Sequence, residues 1–581
     1  MDLRSLKGIC VLCVMFIAAS CGQQTVIKVS GVTPQASAIA TNQTLQFAAV
    51  TNDTLGVNWS ASAGTISAQG NYTAPAGPQS VTVTVTATSK RDATKSASAM
   101  VNVVAPGQVA ATANPQVAQY TISPAAAGNV SVQFGTDTNY GLTTWTQPVP
   151  MGGGAMSLFV AGMRANTLYH MRGVVAFNDG SQYMDADQTF TTGALPAAQL
   201  PTITATTTAG MTPQSGVELL DLVGGNTALA PVAVTDLAGN ILWSYNPGFT
   251  TLQANPVKML PNGHFLVNFS ASAPDGANSV LQELDLTGKL IWQMTAADLN
   301  TALAAATCTG CNITVTGTHH DFAMLSNGHL IVLAGTQQVV SGTTVTGDVI
   351  IDLDQNHKPV WLWNEFDHLD INRRPYLYPD WTHTNAILYS PDDGNLIISI
   401  RHQNWLVKID YANGAGAGDI LWHLGYQGDF ALVGGTDPTD WFYAQHGPSF
   451  TTSNTTGKFG LALFDNGDDR VFPTGVTCGT SGEPPCLYST VQLFEIDETA
   501  KTATFTFHPT APTYSFFGGN NAVLKNGNVE FCESAGGPGT SGDIYEITQG
   551  SSSQTVWQML VNGQYAYRGQ RIPSFYPGVQ W

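Results

Sequence analysis

Asn262-Gly-His-Phe-Leu-Val267, Asn327-Gly-His-Leu-Ile-Val332, Asp393-Gly-Asn-Leu-Ile-Ile398 and Asn526-Gly-Asn-Val-Glu-Phe531 are four copies of one pattern, a tight turn followed by an apolar strand. Asn-Gly and Asp-Gly favour hairpins because both central residues accept positive φ. A second element joins an apolar strand, a polar turn and an aromatic strand. It appears as Val234-Thr-Asp-Leu-Ala-Gly-Asn-Ile-Leu-Trp243 and Leu284-Asp-Leu-Thr-Gly-Lys-Leu-Ile-Trp292, with looser copies ending at Trp361, Trp422, Phe505 and Trp557. The turn glycines Gly263, Gly328 and Gly394 lie 65 and 66 residues apart. Two hairpins per unit make a four-stranded blade, so six aromatic strands predict a six-bladed β-propeller over residues 196–581, with seven or eight blades as alternatives. A four-stranded blade needs only about 45 residues, which places the surplus in loops on one face.

Upstream, the chain is strand-like as well. Residues 21–105 carry Leu45-Gln-Phe47, Val57-Asn-Trp59 and Val81-Thr-Val-Thr-Val85 between turn residues. Val57-Asn-Trp-Ser60, Gly64-Thr-Ile66 and Gly70-Asn-Tyr-Thr-Ala-Pro75 resemble bacterial immunoglobulin-like modules, which implies a β-sandwich spacer. In residues 106–195, Val130-Ser-Val-Gln-Phe134 and Gly173-Val-Val-Ala-Phe177 read as strands of a second sandwich. There Asn166-Thr-Leu-Tyr169 is similar to the tyrosine corner of fibronectin type III domains. The stretch from Ala194 to Pro201 reads as a linker. The expected fold class is all-β: a six-bladed β-propeller preceded by two small β-sandwich domains.

Residues 1–20 read as an export signal, with Arg4 and Lys7 before an apolar run from Gly8 to Ala19 that is too short to span a bilayer. Ala18-Ala19-Ser20-Cys21 resembles a lipobox, in which Cys21 is lipidated; the alternative is an ordinary secretory signal cleaved nearby. The expected location is the periplasm or cell surface, lipid-anchored at the outer membrane, with the acyl chains as the only membrane contact. The oxidising compartment makes Cys308 with Cys311, and Cys478 with Cys486, disulfide candidates, and leaves Cys532 as a buried thiol. Cys308-Thr-Gly-Cys311 lacks the βαβ surroundings of a redox motif. The chain is 43% hydrophobic and only 10% charged, with 59 Gly and 30 Pro, which suits short strands and tight turns. Its 21 Lys plus Arg against 40 Asp plus Glu give −19, which argues against a nucleic-acid partner.

Chemistry concentrates in three histidine motifs that precede the first hairpin of successive units. These are Thr318-His-His-Asp-Phe322, Trp381-Thr-His-Thr-Asn385 and Ala444-Gln-His-Gly-Pro448. His320 lies 8 residues before its turn glycine, His383 lies 11 before Gly394, and His446 lies 11 before the fainter turn at Gly457. Matching register in a propeller brings such residues together around the central channel. Arg401 returns to the same face from the other end of its hairpin, and Asn385, Asp321 and Tyr514 are further candidates. Tyr514, Phe516 and Phe517 suit an aromatic pocket lining. His329, His357, His368, His402, His423 and His508 lack the register and are assigned structural roles.

His320-Asp-Phe322, Trp381-Thr-His-Thr-Asn385, Ile400-Arg401, Gln445-His-Gly447 and Tyr567-Arg-Gly-Gln-Arg-Ile-Pro573 together resemble the bacterial aryl sulfate sulfotransferases that use no nucleotide sulfate donor. That resemblance implies a six-bladed propeller behind a β-sandwich and ping-pong transfer from a phenolic sulfate ester to a phenol through a sulfated histidine. It implies His446 as nucleophile, His320, His383 and Arg401 around the sulfuryl group, and Asn385 as a helper; Tyr514 and Phe517, read as pocket lining, are the substrate-binding candidates. No cofactor and no metal are implied. The pair His319-His320 leaves the first assignment open between two residues, Asp321 favouring His320. Sequence also leaves open a homo-oligomer, a metal-dependent lyase built on the same histidines with Asp321, and a non-catalytic surface binder. Arg401 argues against the metal, because a guanidinium repels a dication.

Overall fold

The computed structural model describes residues 25–226, 228–271, 276–377, 379–454, 457–468, 470, 488–536 and 539–581. The export signal, Cys21, Cys478 and Cys486 lie outside the described residues. In the first sandwich, a four-stranded sheet faces a three-stranded one across a core that includes Phe47, Tyr72, Val83 and Val101. In the second, Tyr120, Phe134, Tyr169 and Met171 are buried between two further sheets. The Tyr169 hydroxyl accepts from Arg164 N at 3.0 Å, five residues upstream, which is the corner hydrogen bond the sequence suggested.

From Thr202 onward the chain forms six antiparallel four-stranded blades, two of them with a fifth strand on the outer edge. The innermost strands are Tyr565–Ile572, Gln253–Met259, Gly317–Met324, Thr384–Ser390, His446–Phe450 and Asn520–Val523, in blades 1 to 6. The aromatic strands of the repeat are the fourth strands of the blades, counted from the axis: Ile241–Tyr245, Leu290–Thr295, Pro359–Asn364, Ile420–Leu424, Thr502–Phe507 and Thr555–Asn562. Each joins its neighbour through a register-shifting bulge, the counterpart of the recurring polar turn. Gly263, Gly328, Gly394, Gly457 and Gly527 all take positive φ at the first hairpin of their blades, as Asn-Gly turns require.

Buried indoles stitch blade to blade, because an indole N–H taken from water needs an acceptor. Trp243 Nε1 donates to Leu286 O, Trp363 Nε1 to Gly418 O and Trp557 Nε1 to Leu237 O, each at 2.8 Å and each in the next blade. Both ends of the propeller sequence are sewn in. Thr202–Thr207 pairs with Thr555–Asn562 at the edge of blade 6, and Tyr565–Ile572 pairs with Val217–Val223 in blade 1. At that closure, Arg571 meets Glu218 at 2.7 Å, Glu546 at 3.1 Å and Glu530 at 3.3 Å, all buried. Beyond the last strand the chain turns back to the second sandwich. There Trp581 Nε1 donates to Thr143 O at 2.9 Å and Tyr576 packs in a core shared by both bodies. The Cys308–Cys311 disulfide follows the short helix Ala296–Ala305 in blade 2, as a loop staple.

Asp221, on the second strand of blade 1, accepts from Arg568 N at 2.7 Å and is buried on the axis. Burial, against the pull of Arg568, pushes its carboxyl up to about 7. The folded state therefore keeps a proton that the unfolded chain loses near pH ~4. This contribution to stability is complete below about pH 4 and is lost as pH rises through about 7. In Asp221→Asn the decline in unfolding midpoint between those two pH values should be shallower than in the unaltered protein. Equal slopes would contradict the assignment.

Candidate functional site

The three register-matched histidines arrive at one end of the axial channel. His446 opens the inner strand of blade 5, His383 immediately precedes that of blade 4, and His320 lies within that of blade 3. Bulges interrupt all three strands, at His320, just after His446 and two residues beyond His383. His320 and His383 have φ of 56° and 51°, a left-handed conformation that costs a non-glycine residue on the order of 1–3 kcal/mol. The strain is held by the surroundings: His383 O accepts from Arg401 N at 3.3 Å, and His320 O from Arg568 Nη2 at 3.4 Å. A bulge in a strained inner strand turns the imidazole towards the channel instead of into the blade.

His320, His383, His446 and Arg401 line a single cavity of about 260 Å³. Phe516, Phe517 and Tyr567 supply its aromatic wall, and among the described residues no carboxylate lines it. The His320 and His383 rings lie 4.8 Å apart, and Tyr567 stands 5.9 Å from His320 and 6.1 Å from His446. In a chain of net charge −19, this pocket is lined by one guanidinium and three imidazoles, a setting for an anion.

Each site imidazole is held by its Nδ1. Asn466 Nδ2 donates to Ser515 O at 2.7 Å and Gly518 O at 3.0 Å, so its amide oxygen must face His446 Nδ1, 2.7 Å away. An amide oxygen only accepts; Nδ1 therefore carries the hydrogen and Nε2 the lone pair, an assignment from the hydrogen-bond network. His383 Nδ1 lies 2.6 Å from Asp380 Oδ2. His320 Nδ1 lies 2.8 Å from His319 Nδ1, and His319 Nε2 faces Asp348 Oδ1 at 3.0 Å. His320 is thus the cavity residue and His319 the fully buried one behind it. Burial, with Arg401, His383 and Arg568, holds His446 well below the ordinary imidazole range, and burial with His383, His319 and His446 does the same to His320. Both are neutral near pH 7, as a nucleophile must be.

Arg401 sits in the single turn Arg401–Gln403 at the end of the second strand of blade 4. Its Nη1 donates to His402 Nε2, and its Nη2 to Asp468 Oδ2 at 2.5 Å and Phe516 O at 3.3 Å. The other sequence candidates sit around the cavity. Asn385 is fully buried and donates to Gln445 O at 2.7 Å, tying blade 4 to blade 5. Tyr514 is half-buried beside Arg401 and Asp468 without lining the cavity, whereas Phe517 lines it. Asp321 lies beneath, held by Lys258 at 2.6 Å and Arg568 at 3.3 Å.

Sequence reasoning missed Asp380, His402 and Asn466. The first carried a signal in Asp380-Trp-Thr-His383; Asn466 carried none. Asp380, His383 and His402 are also the described residues best placed to hold a metal, their ligand atoms lying within 4.8 Å of one another. The Arg401 guanidinium already on His402 disfavours a dication there, as Lys258 and Arg568 do at Asp321.

No curated protein matches the chain. Among solved structures, a Synechocystis apocarotenoid oxygenase variant matches at 10% identity over 86% of this chain and 97% of its own, with a TM-score of 0.29. An ulvan lyase, described as a new polysaccharide lyase family, matches at 9% identity over 71% and 93%, with a TM-score of 0.31. An auxiliary nutrient binding protein from Bacteroides ovatus matches at 10% over 71% and 91%, with a TM-score of 0.29. Such low TM-scores carry no argument. The family model described as Arylsulfotransferase (ASST) matches residues 207–568, more than half of the chain and nearly all of the propeller, and the chain therefore belongs to the arylsulfotransferase family.

Proposed function

We propose that this protein moves a sulfuryl group from a phenolic sulfate ester to a phenol by two displacements at His446. The observation that carries the reading is one cavity, free of carboxylates among the described residues, in which three Nδ1-anchored imidazoles and a guanidinium converge. In the first displacement, the His446 Nε2 lone pair attacks sulfur and an N–S bond forms. The S–O bond to the aryl group breaks, and its electron pair leaves on the aryl oxygen, which takes a proton. In the second, a phenol gives up its proton, its oxygen takes the sulfuryl group, and the N–S bond breaks. As in phosphoryl transfer, charge on the equatorial oxygens makes positioning and fixed donors the main catalytic contribution. Arg401 supplies a permanently charged fork, and Phe516, Phe517 and Tyr567 supply aromatic surface for the ring.

The export signal and Cys21 motif support a lipid-anchored protein at the outer membrane, facing the periplasm or the cell surface. Small-molecule phenolic sulfates and phenols are the proposed partners. The test uses 4-nitrophenyl sulfate with and without phenol. Nitrophenol release that requires phenol, with phenyl sulfate as the second product, is expected. Release indifferent to phenol marks a hydrolase, and binding of the ester with no release marks a non-catalytic binder; either overturns the proposal.

A further inference from the structure

On the sulfuryl-transfer reading, we propose that Asp380 is the positioning residue that makes His383 the proton carrier of the site and, through His402, aims Arg401 at the sulfuryl group. Asp380 lies three residues before His383 and uses two of its oxygens on two different partners. Its carboxylate Oδ2 accepts from His383 Nδ1 at 2.6 Å. Its main-chain carbonyl accepts from His402 Nδ1 at 2.9 Å. A carbonyl only accepts, so His402 spends its hydrogen there and offers Nε2 as an acceptor, which is where Arg401 Nη1 donates. The Tyr376 ring stacks on His402 at 4.1 Å and 15°, fixing the imidazole plane that receives the guanidinium. One residue thus sets the tautomer of an imidazole and the pose of an arginine, both in the cavity wall.

One histidine of the site must carry the proton that the departing aryl oxygen takes. His446 leans on the amide of Asn466 and His320 on the ring of His319, whereas His383 alone of the three leans directly on a carboxylate. An anion behind an imidazole stabilises its protonated form, and a neutral acceptor does so far less. The groups facing His383 are Asp380, Arg401 and the imidazoles of His320, His402 and His446. Burial would raise the Asp380 carboxyl, but His383, His402 and Arg401 outweigh it and bring it down to about 2, so the carboxylate stays ionised. His383 Nε2 then gives a proton to the departing aryl oxygen as the S–O bond breaks, and takes one from the incoming phenol as the N–S bond breaks.

Proton donation matters little for a stable leaving group such as 4-nitrophenolate and much for phenolate, which separates this role from a structural one. The experiment measures kcat and KM with 4-nitrophenyl, phenyl and 4-methylphenyl sulfates, using the full chain. Asp380→Asn is expected to lose about 10-fold in kcat on 4-nitrophenyl sulfate but roughly 10³-fold on phenyl sulfate, steepening the leaving-group dependence. Asp380→Glu should recover part of that difference. His402→Gln should raise KM about 10-fold for every ester without steepening it, because it loosens Arg401 alone. Equal losses across the esters in Asp380→Asn overturn the proposal. If that variant does not fold, an unchanged KM in His402→Gln, or a steepened leaving-group dependence there, overturns it instead. Should the unaltered protein transfer from none of the esters, the failure is that of the sulfuryl-transfer reading, and the Asp380 assignment falls with it.

Discussion

His446→Ala is expected to lower transfer from 4-nitrophenyl sulfate to phenol by at least about 10⁴-fold, since removing the nucleophile of an interdependent set costs nearly all of its catalysis. Folding should be intact. The imidazole is small, the neighbouring Asn466 keeps both donations of its amide NH2, to Ser515 O and Gly518 O, while its oxygen loses one donor, and the blade's ladder does not depend on the ring. Donor binding should survive as well, because Arg401, His320 and His383 remain in the cavity wall. A kcat loss with a KM near that of the unaltered protein is the expected pattern. Retention of even a tenth of the activity would mean that sulfur passes directly from donor to acceptor, with His446 as one of the surrounding donors.

The largest effect on stability is expected at the closure of the ring. Arg571 stands among Glu218 of blade 1 and Glu530 and Glu546 of blade 6, over the Trp557 ring at 4.7 Å. Burial pushes the Glu218 and Glu530 carboxyls up, the latter well above its ordinary range and with Glu218 adding to the rise. Replacing Arg571 with methionine keeps most of the packing and removes the buried cation that faces these three carboxylates. Breaking such a group by deleting one partner costs about 3–5 kcal/mol, a third or more of an ordinary domain's stability. The sign with pH follows: carboxylates that hold protons more tightly folded than unfolded lose stability as pH rises, so acidification should partly rescue Arg571→Met. An unfolding midpoint equal to that of the unaltered protein, or one that falls on mild acidification, would show that the strand pairing alone closes the ring.

The propeller was legible because its repeat is written twice in each blade, once as a φ-permissive turn and once as an aromatic fourth strand. All six aromatic strands proved to be the fourth strands of separate blades. The three histidines and Arg401 were legible for the same reason: equal register in a closed ring becomes proximity in space. His402 was not, although it adjoins Arg401, because its contribution depends on a single turn that points its ring back to Asp380, and such a turn leaves no periodic trace. Asn466 follows the second strand of blade 5, and only the fold shows that this strand end meets the His446 ring. Asn385 illustrates the opposite limit. It stands two residues from His383, where regular alternation would give both side chains one face, but the bulge between Thr384 and Ala386 breaks that alternation and its side chain lies in the inter-blade seam, where it bonds Gln445 O.

The central claim is that sulfur rests on His446 between donor and acceptor. Incubating the protein with 4-nitrophenyl sulfate alone, stopping the reaction without acid, and mapping the modified peptide by mass spectrometry tests it directly. The account predicts one sulfuryl group per chain, on His446, released when phenol is added. Stoichiometric nitrophenol release with no adduct, or an adduct on another residue that phenol discharges, would contradict it.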